Sequence, residues 1–164
     1  MKRFFFIFVA FMMGSAMWAQ SVFTVVYATS DDGFVNVRQR PSMKASVLTK
    51  LYEPMHGLGS GILLAKSGNW SKVRVGKFTG WAYSKYVGEQ TWYEGNGQPR
   101  LVANKANTPI YTDNLEDGSI NILFATVSKG TIIADQYKED DAYYMLVTAH
   151  DNLYVKKSDV KIVR

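Results

Sequence analysis

The sequence predicts an all-β protein in which two small barrels of antiparallel strands follow one another along the chain. Short β-branched and aromatic segments alternate with clusters of Gly, Pro, Ser and Asn, which is the pattern of strands joined by turns. No segment carries a sustained helical period. The chain also aligns with itself at an offset of 73 residues, so that Gly57 matches Gly130 and Trp70 matches Tyr143. A repeat of this length is a whole small domain, which indicates either a tandem duplication or a chance match between alternating patterns.

Residues 1–19 have the layout of a secretory signal peptide and are expected to be absent from the folded protein. Two basic residues precede an apolar run over Phe4–Met13, which is shorter than the roughly 20 residues that a membrane-spanning helix needs. Cleavage after Ala19 or after Ala16 would release an exported protein, periplasmic, secreted or on the cell surface, with no stable membrane insertion. The alternative is an uncleaved anchor or a buried N-terminal strand. The chain contains no cysteine, so an exported form has no disulfide.

Residues 20–90 are predicted to form the first barrel. Its predicted strands are Phe34–Arg38, Val47–Tyr52, Gly61–Ala65, Trp70–Val75 and Thr79–Tyr83. A tight hairpin is expected at Gly76, because glycine adopts a positive φ without steric cost. One 3₁₀ turn is expected at Ser84–Val87 before a last strand.

Residues 101–164 are predicted to form the second barrel, and residues 91–100 the linker. The predicted strands of the second barrel are Ile122–Val127, Thr131–Tyr137, Tyr143–Thr148 and Asn152–Val155, with a 3₁₀ turn at Lys157–Val160. The linker contains Gly95-Asn96-Gly97-Gln98-Pro99, which breaks both strands and helices. It also carries Trp92 and Tyr93, so we expect it to pack between the barrels.

Charge is distributed unevenly between the two halves. Residues 20–90 hold 9 basic and 4 acidic residues, whereas residues 91–164 hold 8 basic and 10 acidic residues. This asymmetry indicates an anionic ligand for the first half, attraction between the halves, or solvated surface charge. No block of charge is dense enough to indicate nucleic-acid binding, so no nucleic acid is expected as a partner.

Three short segments of the first half carry a resemblance to a known family. They are Asn36-Val37-Arg38, Trp70-Ser71-Lys72-Val73 and Gly80-Trp81. In this order and spacing the set resembles the bacterial SH3-like (SH3b) family, whose small barrels bind cell-wall or protein ligands. The resemblance covers residues 28–88 and is weak over 101–164, so it implies two SH3-like barrels in tandem with a degenerate second copy.

The resemblance implies a shallow ligand groove flanked by two segments, Arg38–Lys44 and Gly57–Gly61. Because neighbouring residues of a strand point to opposite faces, Val37 is expected inside the barrel and Asn36 and Arg38 outside it. Asn36 is a candidate ligand-binding residue, or it only hydrogen-bonds its own turn.

Arg38 and Arg40 are candidates for a two-pronged hydrogen bond to a carboxylate, as found in a peptide stem or an acidic sugar. The alternative is that Arg38 lies along the barrel and only pairs with Asp31 or Asp32.

Aromatic residues are the other ligand candidates. Tyr52, Tyr83 and Tyr86 are expected at the groove, where a tyrosine offers a flat apolar face and a wet hydroxyl. Trp70 and Trp81 could join Tyr83 and Tyr86 in a platform that stacks on sugar rings or an apolar peptide side chain. The alternative, which we expect for Trp81, is a place in the barrel interior, because large residues fill small barrels.

The second half departs from the family pattern at four positions. With the offset of 73, Pro109 replaces Asn36, Tyr111 replaces Arg38, Asn114 replaces Pro41, and Leu153 replaces Gly80. The second copy is therefore expected to act as a support or to cover its partner.

The sequence gives no indication of catalysis, a metal or a cofactor. Cysteine is absent, and His56 and His150 are not part of a metal-ligand motif. The run Glu139-Asp140-Asp141 is typical of a solvated turn. We therefore expect an exported, non-enzymatic binding module of the cell envelope that recognises a peptide or a glycan of the peptidoglycan type. The alternative is an assembly or scaffolding protein that contacts partner proteins in the envelope.

Overall fold

The computed structural model of the chain describes residues 20–54, 59–114, 116–147 and 152–164. The described part is nearly all β, which confirms the predicted fold class. Its only helical segments are the two 3₁₀ turns, at Ser84–Tyr86 and Lys157–Asp159, where the sequence predicts them. None of its helices is long and apolar enough to cross a membrane. The predicted signal peptide, His56 and His150 lie outside the described residues.

Seven strands between residues 24 and 91 form the first sheet. They are β1 Thr24–Ala28, β2 Phe34–Arg38, β3 Val47–Tyr52, β4 Gly61–Ser67, β5 Trp70–Val75, β6 Phe78–Tyr83 and β7 Val87–Thr91. Their order in the sheet is β3-β2-β6-β5-β4-β1-β7, and the sheet curls into a half-barrel. Gly76 has a φ of 54° at the turn between β5 and β6, as the predicted hairpin requires.

Eight strands between residues 100 and 163 form two further sheets. They are β8 Arg100–Ala103, β9 Thr108–Asp113, β10 Ile120–Val127, β11 Ile132–Ala134, β12 Lys138–Glu139, β13 Tyr143–Val147, β14 Asn152–Lys156 and β15 Val160–Val163. Five of them pair in the order β10-β9-β14-β13-β12, and three in the order β11-β8-β15.

The strand pairing of the second half repeats that of the first at the offset found in the sequence. Lys72 of β5 pairs with Trp81 of β6, and Met145 of β13 pairs with Tyr154 of β14, each partner being 73 residues further along. The pair Arg38–Trp81 likewise corresponds to Tyr111–Tyr154. A duplication predicts this agreement in register, because residues at equivalent positions then face the same side of equivalent sheets.

Apolar side chains of the first half fill the inside of the curled sheet. Val26, Val37, Leu51, Val73 and Ala82 are fully buried there. They come from β1, β2, β3, β5 and β6, and they alternate along each strand with residues on the outer face.

A second apolar cluster joins the two halves. Phe23, Val25 and Ile62 from the first half belong to it together with residues of the second half such as Leu101 and Leu146. The clustered surfaces are therefore removed from water only when both halves are folded and docked.

The linker packs into this joint, as its aromatic content predicts. Trp92 is buried, stacks on Phe23 with ring centroids 5.7 Å apart, and donates a hydrogen bond from Nε1 to the Val147 carbonyl at 3.0 Å. The buried carboxylate of Asp135 accepts hydrogen bonds from the backbone N–H groups of Glu94 and Gly95. The linker is thus held at both its backbone and its largest side chain.

Backbone contacts with the linker also explain why the single strand predicted over Thr131–Tyr137 is not formed. The strand β11 ends at Ala134, because the N–H groups of Asp135 and Gln136 both donate to the Trp92 carbonyl instead of to a neighbouring strand. The chain re-enters a sheet only at Lys138.

The segment before β1 also docks on the second half. The Phe23 N–H donates to the Ile132 carbonyl at 2.7 Å, and the Ile132 N–H donates to the Ser21 carbonyl at 2.8 Å. The Gln20 side chain donates to the Gly130 carbonyl at 3.0 Å. This segment runs parallel to β11 and covers its edge.

Asp159, in the second 3₁₀ turn, is a buried acid that bonds to an exposed lysine. Burial alone raises the pKa of Asp159, but hydrogen bonds from Lys105 and Ser158 and the charges of Lys105 and Lys156 outweigh it, so the pKa lies below its usual value. A group with a lowered pKa in the folded state stabilises the fold above its unfolded pKa of about 3.9, and this stabilisation is lost as the pH falls through the folded pKa.

Replacing Lys105 with methionine is therefore expected to lower the free energy of unfolding by about 1 kcal/mol at pH 7, because the lysine head is half exposed and partly screened. The difference from the parent protein should begin to shrink as the pH falls below the unfolded pKa of about 3.9, and it should disappear below the lowered folded pKa, where Asp159 is protonated in both states. Urea denaturation at pH 7 and pH 3 measures both values. Lys129→Met, on an exposed turn, is the control and should change neither. A difference of the same size at both pH values would contradict the assignment.

Candidate functional site

One cleft of the first half gathers most of the residues that the sequence singles out. It has a volume of about 420 Å³ and lies on the outer side of β2, β5 and β6. Four of the six predicted site residues line it: Asn36, Arg38, Tyr83 and Tyr86. Its other lining residues are Ser30, Asp31, Asp32, Phe34, Val35, Met43 and Trp70.

The turn between β1 and β2 contributes Ser30, Asp31 and Asp32 to the lining of the cleft. Gly33 has a φ of 74° in this turn, and its N–H donates to the Ser30 carbonyl at 2.9 Å. The Ser30 hydroxyl in turn donates to the Phe34 carbonyl at 2.6 Å. These bonds hold the exposed residues Asp31 and Asp32 at the cleft, with both carboxylates open to solvent.

Arg38 holds the arm that follows β2. Its Nη1 donates a hydrogen bond to the Ala45 carbonyl at 2.8 Å, and the Gln39 N–H donates to the Ser46 carbonyl at 2.9 Å. The predicted alternative, a pair with Asp31 or Asp32, is wrong, since the ion pairs of the described residues involve other side chains. One edge of the guanidinium is therefore used by the fold, and the rest is available to a ligand.

Aromatic rings line the cleft together with the β1–β2 turn. Trp70 and Tyr83 are cross-strand partners with ring centroids 5.5 Å apart in a T-shaped arrangement. Tyr83 and Tyr86 follow at 6.1 Å, and Tyr86 is 39% exposed. Rings that support one another in this way lose little further freedom when a flat ligand binds to them.

Arg40 and Tyr52 do not line the cleft. The arm turns at Arg40, whose carbonyl accepts a hydrogen bond from the Ser42 N–H, and the Arg40 side chain is exposed. Tyr52 ends the edge strand β3, where it pairs with Phe34 and is 47% exposed. The sequence shows that these residues are near β2 but not which way the arm and the edge strand turn.

Trp81 is not in the barrel interior, so that prediction is wrong. Its neighbours on β6, Gly80 and Ala82, are buried, whereas Trp81 is half-buried on the outer face. Gly80 pairs with Val73 and therefore shares its face. Alternation from Val73 was the signal in the sequence that could have placed Trp81 outside.

The second half has no equivalent of the cleft chemistry. The position of Arg38 is taken by Tyr111, and the cross-strand pair Trp70–Tyr83 is replaced by Tyr143–Lys156. The residues that replace the polar pattern of the first half therefore occupy the equivalent positions of the second sheet, as the sequence predicts. Among the described residues there is no cluster of three His, Cys, Asp or Glu side chains with the geometry of a metal site.

The chain is only distantly similar to known proteins. No protein-family model matches the chain, and no curated protein matches it. Among solved structures it is similar to NlpC2 and NlpC1 from Trichomonas vaginalis, with 13% identity to each and TM-scores of 0.37 and 0.38. The matches cover 87% of this chain but 48% and 47% of those proteins, so the chain spans about half their length.

Proposed function

We propose that the protein is a non-catalytic binding module of the cell envelope, whose first barrel recognises a peptidoglycan-type ligand in the cleft between the β1–β2 turn and Tyr86. The observation that carries the proposal is the convergence of Asn36, Arg38, Tyr83 and Tyr86 on one cleft. These residues come from segments that are far apart in the sequence. Their side chains are half-exposed, so packing of the hydrophobic core does not require them to meet. The proposal includes the relationship to the SH3b family and the export of the chain.

The cleft provides what a wall ligand needs. Aromatic rings can stack on a sugar ring or an apolar side chain, Arg38 can donate to a carboxylate, and Asn36 can exchange hydrogen bonds with hydroxyl or amide groups. The walls are built on strands, so the groups are largely pre-formed before binding.

A scaffolding function is the second candidate, and one observation favours it. A groove of about 580 Å³ lies between the β5–β6 hairpin and the edge strand β10. Phe78, Ile122 and Leu123 line it and are 38%, 45% and 56% exposed. Exposed apolar side chains of this kind beside a sheet edge are typical of contact with another protein.

Binding to purified cell wall tests the proposed function. We expect the protein to sediment with insoluble peptidoglycan, and the double variant Arg38→Ala/Tyr83→Ala to lose at least about tenfold in affinity, since it removes a charged donor and an aromatic face. The matched control is Tyr111→Ala/Lys156→Ala, at the equivalent positions of the second half, and it should bind like the parent.

Two outcomes would contradict the proposal. One is retention that the Arg38→Ala/Tyr83→Ala variant leaves unchanged, and the other is no retention at all. Co-purification of a stoichiometric protein partner without any affinity for the wall would favour the scaffolding function.

A further inference from the structure

Beside the cleft, the outer face of the first sheet carries a row of two cations around a tryptophan. Arg38, Trp81 and Lys72 are direct cross-strand partners on β2, β6 and β5. Neighbouring strands lie about 4.8 Å apart, so the backbone positions of Arg38 and Lys72 lie about 10 Å apart on either side of Trp81. The Lys72 Nζ lies 5.9 Å from the centre of the Trp81 ring. All three side chains are half-buried on the outer face, where the inner core makes no use of them.

The next row of the same face repeats this mixture. Asn36 pairs with Lys50, and Tyr83 pairs with Trp70. The Lys50 Nζ lies 3.6 Å above the ring of Phe34. The face therefore carries both aromatic rings and cations in each of the two rows, and it shares Arg38, Asn36 and Tyr83 with the cleft.

The second half shows that the fold does not need these cations. In the same register, the row Arg38–Trp81–Lys72 becomes Tyr111–Tyr154–Met145. The aromatic centre is kept, while both flanking charges are gone. A sheet with this pairing is thus compatible with neutral residues at both positions. Arg38 uses one edge of its guanidinium to hold the arm after β2, whereas Lys72 extends over Trp81 on the outer face.

We propose that this face binds a glycan whose rings carry free carboxylates at intervals. Trp81 and Tyr83 stack against the apolar faces of sugar rings, and the carboxylate of a ring seated on Trp81 reaches Arg38 on one side or Lys72 on the other. This inference rests on the proposed function and specifies its ligand: stretches of the sugar strand whose carboxylates are free because they carry no peptide.

The acidic end of the cleft distinguishes a sparsely charged glycan from nucleic acid. Asp31 and Asp32 are exposed at the cleft, within the same surface as Arg38. A strand with a phosphate on every unit meets these carboxylates with like charge, which disfavours its binding. A sugar without a carboxylate meets them with hydroxyl groups, which donate hydrogen bonds to the two acids.

Calorimetric titration with a defined acidic oligosaccharide tests the inference. The probe is a hyaluronan hexasaccharide, in which every second sugar carries a carboxylate, and its partner is the same hexasaccharide with the carboxylates reduced to alcohols. We expect the acidic form to bind at least about tenfold more tightly than the reduced form, because only it makes charge-assisted hydrogen bonds. A single-stranded oligothymidylate of similar length is expected to bind more weakly than the acidic hexasaccharide.

Lys72→Met tests the row Arg38–Trp81–Lys72 separately from the cleft. Methionine occupies the equivalent position of the second half, so the sheet tolerates it, and Lys72 does not line the cleft. We expect an affinity loss of about three- to tenfold for the acidic hexasaccharide, and none for the reduced form. Lys161→Met, an exposed lysine of β15 with the same charge change, is the matched control and should leave both unchanged.

The outcomes separate this inference from the proposed function. Equal affinity for the two hexasaccharides, no binding of either, or tighter binding of the oligothymidylate overturns the inference. If the wall-binding experiment still shows retention that depends on Arg38 and Tyr83, the proposed function stands without it. Loss of wall retention overturns both.

Discussion

Replacing Trp92 with alanine is expected to lower the free energy of unfolding by about 3–5 kcal/mol, which is the usual range for removing a large buried aromatic side chain. The side chain is 5% exposed, stacks on Phe23 and donates to the Val147 carbonyl. Its loss leaves a cavity in the cluster that both halves share. Chemical denaturation followed by circular dichroism measures the change.

Two further variants make this result specific to the joint. Trp92→Phe keeps a stacking ring and removes the hydrogen bond, so it should cost less than the alanine variant, by at least about 1 kcal/mol. Tyr93→Ala, at the neighbouring and more exposed position, is the control and should cost less than about 1.5 kcal/mol. A Trp92→Ala protein within about 0.5 kcal/mol of the parent would show that the halves do not depend on this contact.

The shared cluster also predicts how the protein unfolds. Since Phe23, Val25 and Ile62 lose their partners when the second half opens, the parent protein should unfold in one transition. The Trp92→Ala variant weakens the only large aromatic contact of the linker in the described part of the chain, so its two halves are expected to unfold at different denaturant concentrations.

Local pattern was sufficient to predict the hairpin strands and the two 3₁₀ turns. The strand β5 alternates between Val73 and Val75 on one face and Lys72 and Arg74 on the other, and its partner β6 follows a glycine turn. These features depend on neighbours within a few residues, where residue type determines conformation directly. The offset of 73 residues extends the strand prediction to the second half, where equivalent strands pair in the same register.

Contacts between distant segments could not be predicted in the same way. Residues 20–23 pair in parallel with β11, and the residue pattern of this segment does not indicate which strand it pairs with. Arg38 donates a hydrogen bond to the Ala45 carbonyl and so closes the arm that follows β2. Arg40 belongs to this arm and lies outside the cleft. The polar site residues followed from the family resemblance, whereas the pairing of Trp81 with Arg38 and Lys72 required the strand register.

Gly80 shows how this register controls both stability and the site. Gly80→Ala is expected to lower the free energy of unfolding by about 2–3 kcal/mol, as is usual for extra atoms forced into a packed core. A methyl group at this position would lie 2.6 Å from the Arg38 carbonyl oxygen and 2.9 Å from Val37 Cγ1. Both atoms belong to β2, so the substitution pushes apart the strands that carry Arg38 and Trp81.

The same variant should also weaken binding to the wall, although its own side chain faces away from the cleft. Displacing β2 moves the Arg38 guanidinium relative to Tyr83, and hydrogen bonds to a ligand tolerate little misplacement. Thr79→Ala, one residue earlier on the exposed face of β6, is the control and should change stability by less than about 0.5 kcal/mol. Denaturation and wall sedimentation of the two variants measure both effects. A stable Gly80→Ala protein with undiminished binding would mean that β2 and β6 do not approach as closely as Gly80 permits, and the geometry of Arg38 beside Trp81 would then have to be abandoned.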